Sequence, residues 1–189
     1  MNGSRHLVLD TETGGLDPGR HSLLTLGLVV GGPGGVTEAL ELAVKHEPYV
    51  VSAGGMKVNR IDLVAHDASA LPPAQVLQAL DEFLDRHFEA RAQVLLVGHN
   101  IAFDIAFLRS FLASQGRDFE ARFSHRSVDT HSVAAALQDV GRLPADVKLS
   151  STALFAHFGI DVPDARRHTA LGDALATHEL YWKLVELAR

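Results

Sequence analysis

The stretch that most constrains this chain is His6-Leu7-Val8-Leu9-Asp10-Thr11-Glu12-Thr13-Gly14-Gly15-Leu16. Leu7, Val8 and Leu9 form a short apolar run suited to a strand buried on both faces, and Gly14-Gly15 ends it. Side chains alternate along a strand, so Val8, Asp10 and Glu12 share one face, and two residues of rise separate the carboxylates by about 7 Å. Half-buried like charges at that spacing repel. The usual remedies are proton sharing, Arg or Lys partners, or a divalent cation. Taken alone, acids at a strand end are more often solvated loop-entry residues, so a metal site requires further ligands elsewhere in the chain.

With 189 residues, 47% hydrophobic and 21% charged, the expectation is one globular domain, residues 1–189, with a full core. The absence of cysteine excludes disulfides, thiolate zinc sites and Cys nucleophiles. The chain starts directly in a strand, and its longest apolar run, Leu23 to Val30, is broken by Gly27 and too short to span a bilayer. A cytoplasmic protein with no membrane partner is expected. A net charge of -6 argues against broad adhesion to duplex nucleic acid, but an acidic site can hold a substrate locally through cations.

Leu23 to Val30 and Val36 to Val44 flank Gly31-Gly32-Pro33-Gly34-Gly35, a hairpin pattern without the order of a nucleotide-binding loop. Residues 46–70 show no clear period and read as an irregular connection. Pro72-Pro73 introduces a helix to about Arg91, Val94 to Val97 is a buried strand, and a helix from Ile101 to Gln115 closes at Gly116. A short strand at Ser127-Val128, a helix capped by Asp129 or Thr130, another from Ser150 to Phe158 and a last one from Thr169 to Leu187 complete the chain. The last helix presents Leu171, Ala174, His178, Tyr181 and Val185 as its buried stripe. Strands followed by alternating helices and strands imply an α/β sandwich in which an antiparallel meander joins a parallel part.

Two further acids stand out. Asp104 interrupts the apolar helix Ile101-Ala102-Phe103-Asp104-Ile105-Ala106-Phe107-Leu108, against local propensity. Read alone, it belongs on a wet side of that helix. Asn100 precedes it by one turn on the same face, where its amide suits a neighbouring loop or carboxylate. Asp173 falls early in the last helix, where a carboxylate also suits the helix dipole, and His168 precedes that helix beside Arg166 and Arg167. Four carboxylates without thiols make a hard oxygen-donor set, suited to Mg²⁺ or Mn²⁺.

The order of these groups resembles the DEDDh branch of the 3′-5′ exonucleases, the superfamily of replicative proofreading subunits and small exoribonucleases. Asp10 and Glu12 match its Asp-x-Glu motif, Asn100, Phe103 and Asp104 its Asn-x-x-Phe-Asp motif, and His168 and Asp173 its closing His and Asp. At Gly14 the chain departs from the pattern, since many relatives carry a second Thr there. The resemblance implies a ribonuclease H-like fold: a three-layer sandwich around a mixed five-stranded sheet. It also implies a two-metal phosphodiesterase, a hydrolase releasing nucleoside 5′-monophosphates from DNA 3′ ends in proofreading or repair. The same residues serve an exoribonuclease equally. A non-catalytic nucleic-acid-binding domain of this fold is the reading from another class. Carried over residue by residue, Asp10, Glu12, Asp104 and Asp173 hold two Mg²⁺ or Mn²⁺ ions and His168 is the general base. Thr11, Thr13, Gly14, Asn100 and Phe103 lie toward the substrate, although the apolar helix around Phe103 favours a core position for that ring. Arg166, Arg167 and Lys148 are the nearest phosphate-contact candidates. Partners compatible with the resemblance are a single-stranded DNA or RNA 3′ end, a polymerase or other replication or repair protein, and a second copy of the chain.

Overall fold

The computed structural model describes residues 6–90, 92–163 and 168–189. Five strands, β1 (His6–Thr13), β2 (Leu23–Gly32), β3 (Gly35–Ala43), β4 (Val94–Gly98) and β5 (Phe123–Asp129), form one sheet in the order β3-β2-β1-β4-β5. The β3-β2-β1 meander is antiparallel, whereas β4 and β5 run parallel to β1. The direction therefore changes at β1. In open α/β sheets ligands gather beyond the carboxyl ends of strands at such a switch.

Alternation along β1 divides the core. Leu7 and Leu9 face a large cluster with α3 (Pro73–His87) and α4 (Ala102–Ser114), while Val8 faces α7 (Ala170–Leu187) through Ala174. Asp10 and Glu12 continue the Val8 face, and Thr11 and Thr13 continue the other. A third cluster packs the outer side of α7, through Ala176, Leu180 and Leu184, against α5 (Thr130–Asp139) and α6 (Ser151–His157). Helix α7 is thus covered on two sides. Its buried residues include Gly172, Ala174, Ala176, Leu180 and Leu184, a wider set than the expected stripe, of which Leu171, Tyr181 and Val185 are only partly buried.

Residues 46–70 are more regular than their lack of period suggests. They contain two helices, α1 (Ala53–Asn59) and α2 (Leu63–Ser69), capped by Ser52 and Asp62. Helices of 7 residues are too short to display a periodic apolar stripe, so their caps are the sequence signal. Several ends also shift: α3 stops at His87, β4 extends to Gly98 and β5 begins at Phe123.

Candidate active site

Register places Asp10 opposite Gly27 of β2, and Gly27 opposite Glu41 of β3. A side chain at Gly27 is sterically forbidden, because a Cβ there would lie 2.2 Å from the backbone C and O of Ala170. The first turn of α7 consequently rests directly on the sheet beside Asp10. Thr169 caps that turn by accepting from the Gly172 N–H, and Glu41 accepts from the Leu171 N–H at 3.1 Å. These contacts bring Asp173 to β1. Carboxylate oxygens of Asp10, Glu12 and Asp173 all lie within 4.8 Å of one another, each residue half-buried.

Asp104 arrives from the opposite layer. It is 5% exposed, so the wet helix side expected for it is not where it lies. Its carboxylate accepts from the Thr11 hydroxyl at 2.7 Å, across β1 from the other three acids. Burial raises its pKa from 3.8 to about 7, and the Thr11 bond opposes that rise. Glu12 is pushed from 4.5 to about 8, first by burial and then by the charges of Asp173, Asp104 and Glu41. Asp104 therefore acts electrostatically on the cluster while standing outside its inner trio. Three convergent carboxylates with a fourth nearby form a hard-oxygen donor set, and the neighbouring acids add to burial in disfavouring the ionised Glu12.

His168 adopts a left-handed backbone, φ 59°, directly before the Thr169 cap, five positions from Asp173. Arg166 and Arg167 lie outside the described residues. Asn100 also has a positive φ, 56°, and is exposed. It precedes α4, and its backbone N–H, not its side-chain amide, makes the stabilising contact, to Asp129 Oδ1 at 2.8 Å.

Beside the acids opens a cleft of about 530 Å³ walled by Thr13, Gly15 and Leu16 on one side, α1 on another, and Phe103 on the third. Phe103 is not in the core: it is 36% exposed, tilted against Phe107 at 5.0 Å, because the buried face of α4 carries Asp104, Phe107 and Leu108. Thr11 lines the cleft too, but its hydroxyl is committed to Asp104. Gly14 lies behind the wall, where its carbonyl accepts from Ser52 N at 2.6 Å and a Cβ would meet Val50 O at 2.5 Å. Asn59 of α1, buried, donates to Thr13 O at 2.9 Å and joins the helix to the end of β1. Leu16 and Val58 project into solvent, 83% and 64% exposed, at the rim. Asn59, Val58 and Glu41 carry no sequence pattern that singles them out. Gly27 offers one hint by interrupting a strand-like apolar run, since an interior strand glycine marks close backbone approach.

The exonuclease family model RNase_T matches residues 7–181. A DNA polymerase III subunit epsilon-like protein of Rhodobacter capsulatus is 29% identical over 182 residues, covering 95% of this chain and 23% of the relative. E. coli exonuclease I in complex with a dT13 oligonucleotide superposes with a TM-score of 0.79 at 16% identity, over 96% of this chain and 41% of that one. The nuclease domain of 3′hExo, a DEDDh family member bound to rAMP, gives 0.78 at 13% identity, over 98% and 93%. The fold is thus the ribonuclease H-like one of these nucleases. This chain spans about a quarter of the curated relative and two fifths of the exonuclease I chain.

Proposed function

Because the chain belongs to the RNase_T exonuclease family, we propose that it is a metal-dependent 3′-5′ exonuclease of the DEDDh type that releases nucleoside 5′-monophosphates from single-stranded DNA. The observation that carries this reading is the trio Asp10, Glu12 and Asp173 converging within 4.8 Å beside a cleft of nucleotide size. Asp10, Glu12, Asp173 and, from the other layer, Asp104 would hold Mg²⁺ or Mn²⁺. Such ions supply charge neutralisation at the scissile phosphate and a lowered barrier to forming hydroxide from water.

The chain's own groups account for the rest. The terminal base enters between Leu16 and Val58 on one side and Phe103 on the other, apolar surfaces suited to a π-face. His168, directly before the Thr169 cap of α7, takes the proton of the attacking water at a ring nitrogen. The P–O bond to the 3′ oxygen of the preceding nucleotide breaks, and that oxygen is protonated from solvent.

A preference for DNA is supported by the cleft's polar groups. The hydroxyl of Thr13 donates to Gly15 O at 2.8 Å, that of Ser52 to Gly14 O at 3.1 Å, and the Asn59 amide to Thr13 O at 2.9 Å. With those protons spent, the Thr13 and Ser52 hydroxyls can only accept from a 2′-hydroxyl and have no proton aimed at it. The DNA polymerase III epsilon-like relative and the dT13 complex of exonuclease I support the same substrate, and the former supports a polymerase as partner. The rAMP bound to 3′hExo favours the RNA alternative.

The test uses 5′-labelled single-stranded DNA and RNA of matched sequence with Mg²⁺ or Mn²⁺. Wild type shortens the DNA from its 3′ end faster than the RNA, EDTA stops the reaction, and Asp10→Ala is inactive. Equal degradation by Asp10→Ala sinks the assignment; faster RNA loss replaces the substrate. For His168→Ala, turnover should fall by about 10²-fold or more with an unchanged melting temperature. Full rate from pH 6 to 9 removes His168 as the base.

A further inference from the structure

We infer that Lys57 and Arg60 of α1 hold phosphates of the substrate strand upstream of its terminal nucleotide. This rests on reading the cleft as a 3′-end site. A chain of net charge -6 with a carboxylate floor must supply local cations to seat a polyanion. Among the described residues, Lys45, Arg86, Arg109, Arg117, Arg122 and Lys183 each sit within salt-bridge distance of a carboxylate. Lys57 and Arg60 do not, and unlike the equally unbridged Arg20, Arg126, Arg142, Lys148 and Arg189 they adjoin residues of the cleft wall. Both are exposed, and they bracket Val58 and Asn59, which wall the cleft. The nearest acid in sequence, Asp62, turns its carboxylate into α2, accepting from Val64 N and Ala65 N at 2.9 and 3.3 Å.

The backbone supplies an independent observation. Arg60 caps α1 at φ 57°, ψ 22°, a left-handed conformation that glycine adopts freely and a long side chain resists. Among the described residues, the other non-glycine positions with positive φ are Asn100 and His168, which flank the acids on α4 and α7. Local strain retained against an easier residue marks a position where the side chain has a use. At Arg60 that side chain is an unpaired guanidinium, suited to bidentate phosphate contact. Its location is also fixed: the Asn59 bond to Thr13 O and the Ser52 bonds to Gly14 O tie both ends of α1 to the acid-bearing strand.

The experiment compares wild type, Arg60→Gly, Arg60→Lys and Lys57→Ala. Binding of a 5′-fluorescein oligothymidylate is followed by anisotropy in Ca²⁺ across a salt series, with dTMP as the ligand lacking upstream phosphates. Arg60→Gly should melt no lower than wild type, weaken oligonucleotide binding about threefold or more, and reduce the log–log salt slope by about 0.7. Its dTMP affinity should stay within about twofold, and Arg60→Lys should keep the wild-type slope. An unchanged oligonucleotide affinity and slope in both Arg60→Gly and Lys57→Ala overturns the inference. Hydrolysis is measured separately, so binding with the expected slopes but without cleavage removes the proposed function and leaves this contact standing.

Discussion

Thr11 and Asp104 show how one hydroxyl opposes the cost of burying an acid in the opposite layer. The carboxylate is 5% exposed, receives the Thr11 hydroxyl at 2.7 Å, and has its pKa raised by burial to about 7. Thr11→Val keeps the shape and deletes the donor, so the ionised form loses its support and the pKa rises further. At pH 8 the substitution should cost about 1–3 kcal/mol of folding stability, and at pH 5.5, where Asp104 is protonated, clearly less. Urea unfolding at both pH values checks this; an equal cost would mean the bond does not depend on the carboxylate charge. The family resemblance places Thr11 toward the substrate. The hydroxyl's actual partner lies 93 positions away in sequence, beyond any local pattern. Asp104 is legible for the opposite reason, since an acid inside an apolar helix conflicts with its neighbours and so draws attention.

Helix α7 is seated by an absent side chain. Gly27 leaves room for the Ala170 backbone, and a methyl group there would stand 2.2 Å from it. Gly27→Ala must lift the first turn of α7, carrying Asp173 away from Asp10 and Glu12. We expect a loss of about 1–3 kcal/mol and a much larger loss of divalent-ion affinity. Calorimetric Mn²⁺ titration beside a thermal melt separates the two, and native affinity in the variant would show that α7 is not held by this contact. The meander, α4 and the C-terminal helix are legible because long elements display their period and several helices end at glycine, as at Gly116 and Gly159, both with positive φ. Helices α1 and α2 are not, at 7 residues each. The position of Phe103 escapes the sequence for a related reason. On a helix apolar all round, hydrophobicity does not say which ring meets solvent, and here Phe107 takes the core.

Across the whole molecule the acids make folding pH-dependent. Glu12 and Asp104 have folded pKa values of about 8 and about 7, above their ordinary 4.5 and 3.8. The folded chain therefore binds more protons than the unfolded one between those limits. The associated stability is fully present below pH about 4 and disappears as the pH rises through 7 to 8. Metal-free protein should melt lower at pH 8.5 than at pH 7, a range above the burial-lowered pKa values of His6, His46, His99 and His178, and Glu12→Gln should flatten that slope. Mn²⁺ should restore more at pH 8.5, where the carboxylates are ionised, than at pH 5.5. A flat metal-free profile in wild type would contradict the crowding of charge around Glu12. No helix among the described residues is long and apolar enough to cross a membrane. The four acids arrive on β1, α4 and α7, and the two helices dock on opposite sides of the same sheet. Damage to either flank is therefore felt at the seam between them: such a centre works as a gauge of its own assembly, and any divalent ion it held would leave before the protein as a whole came apart.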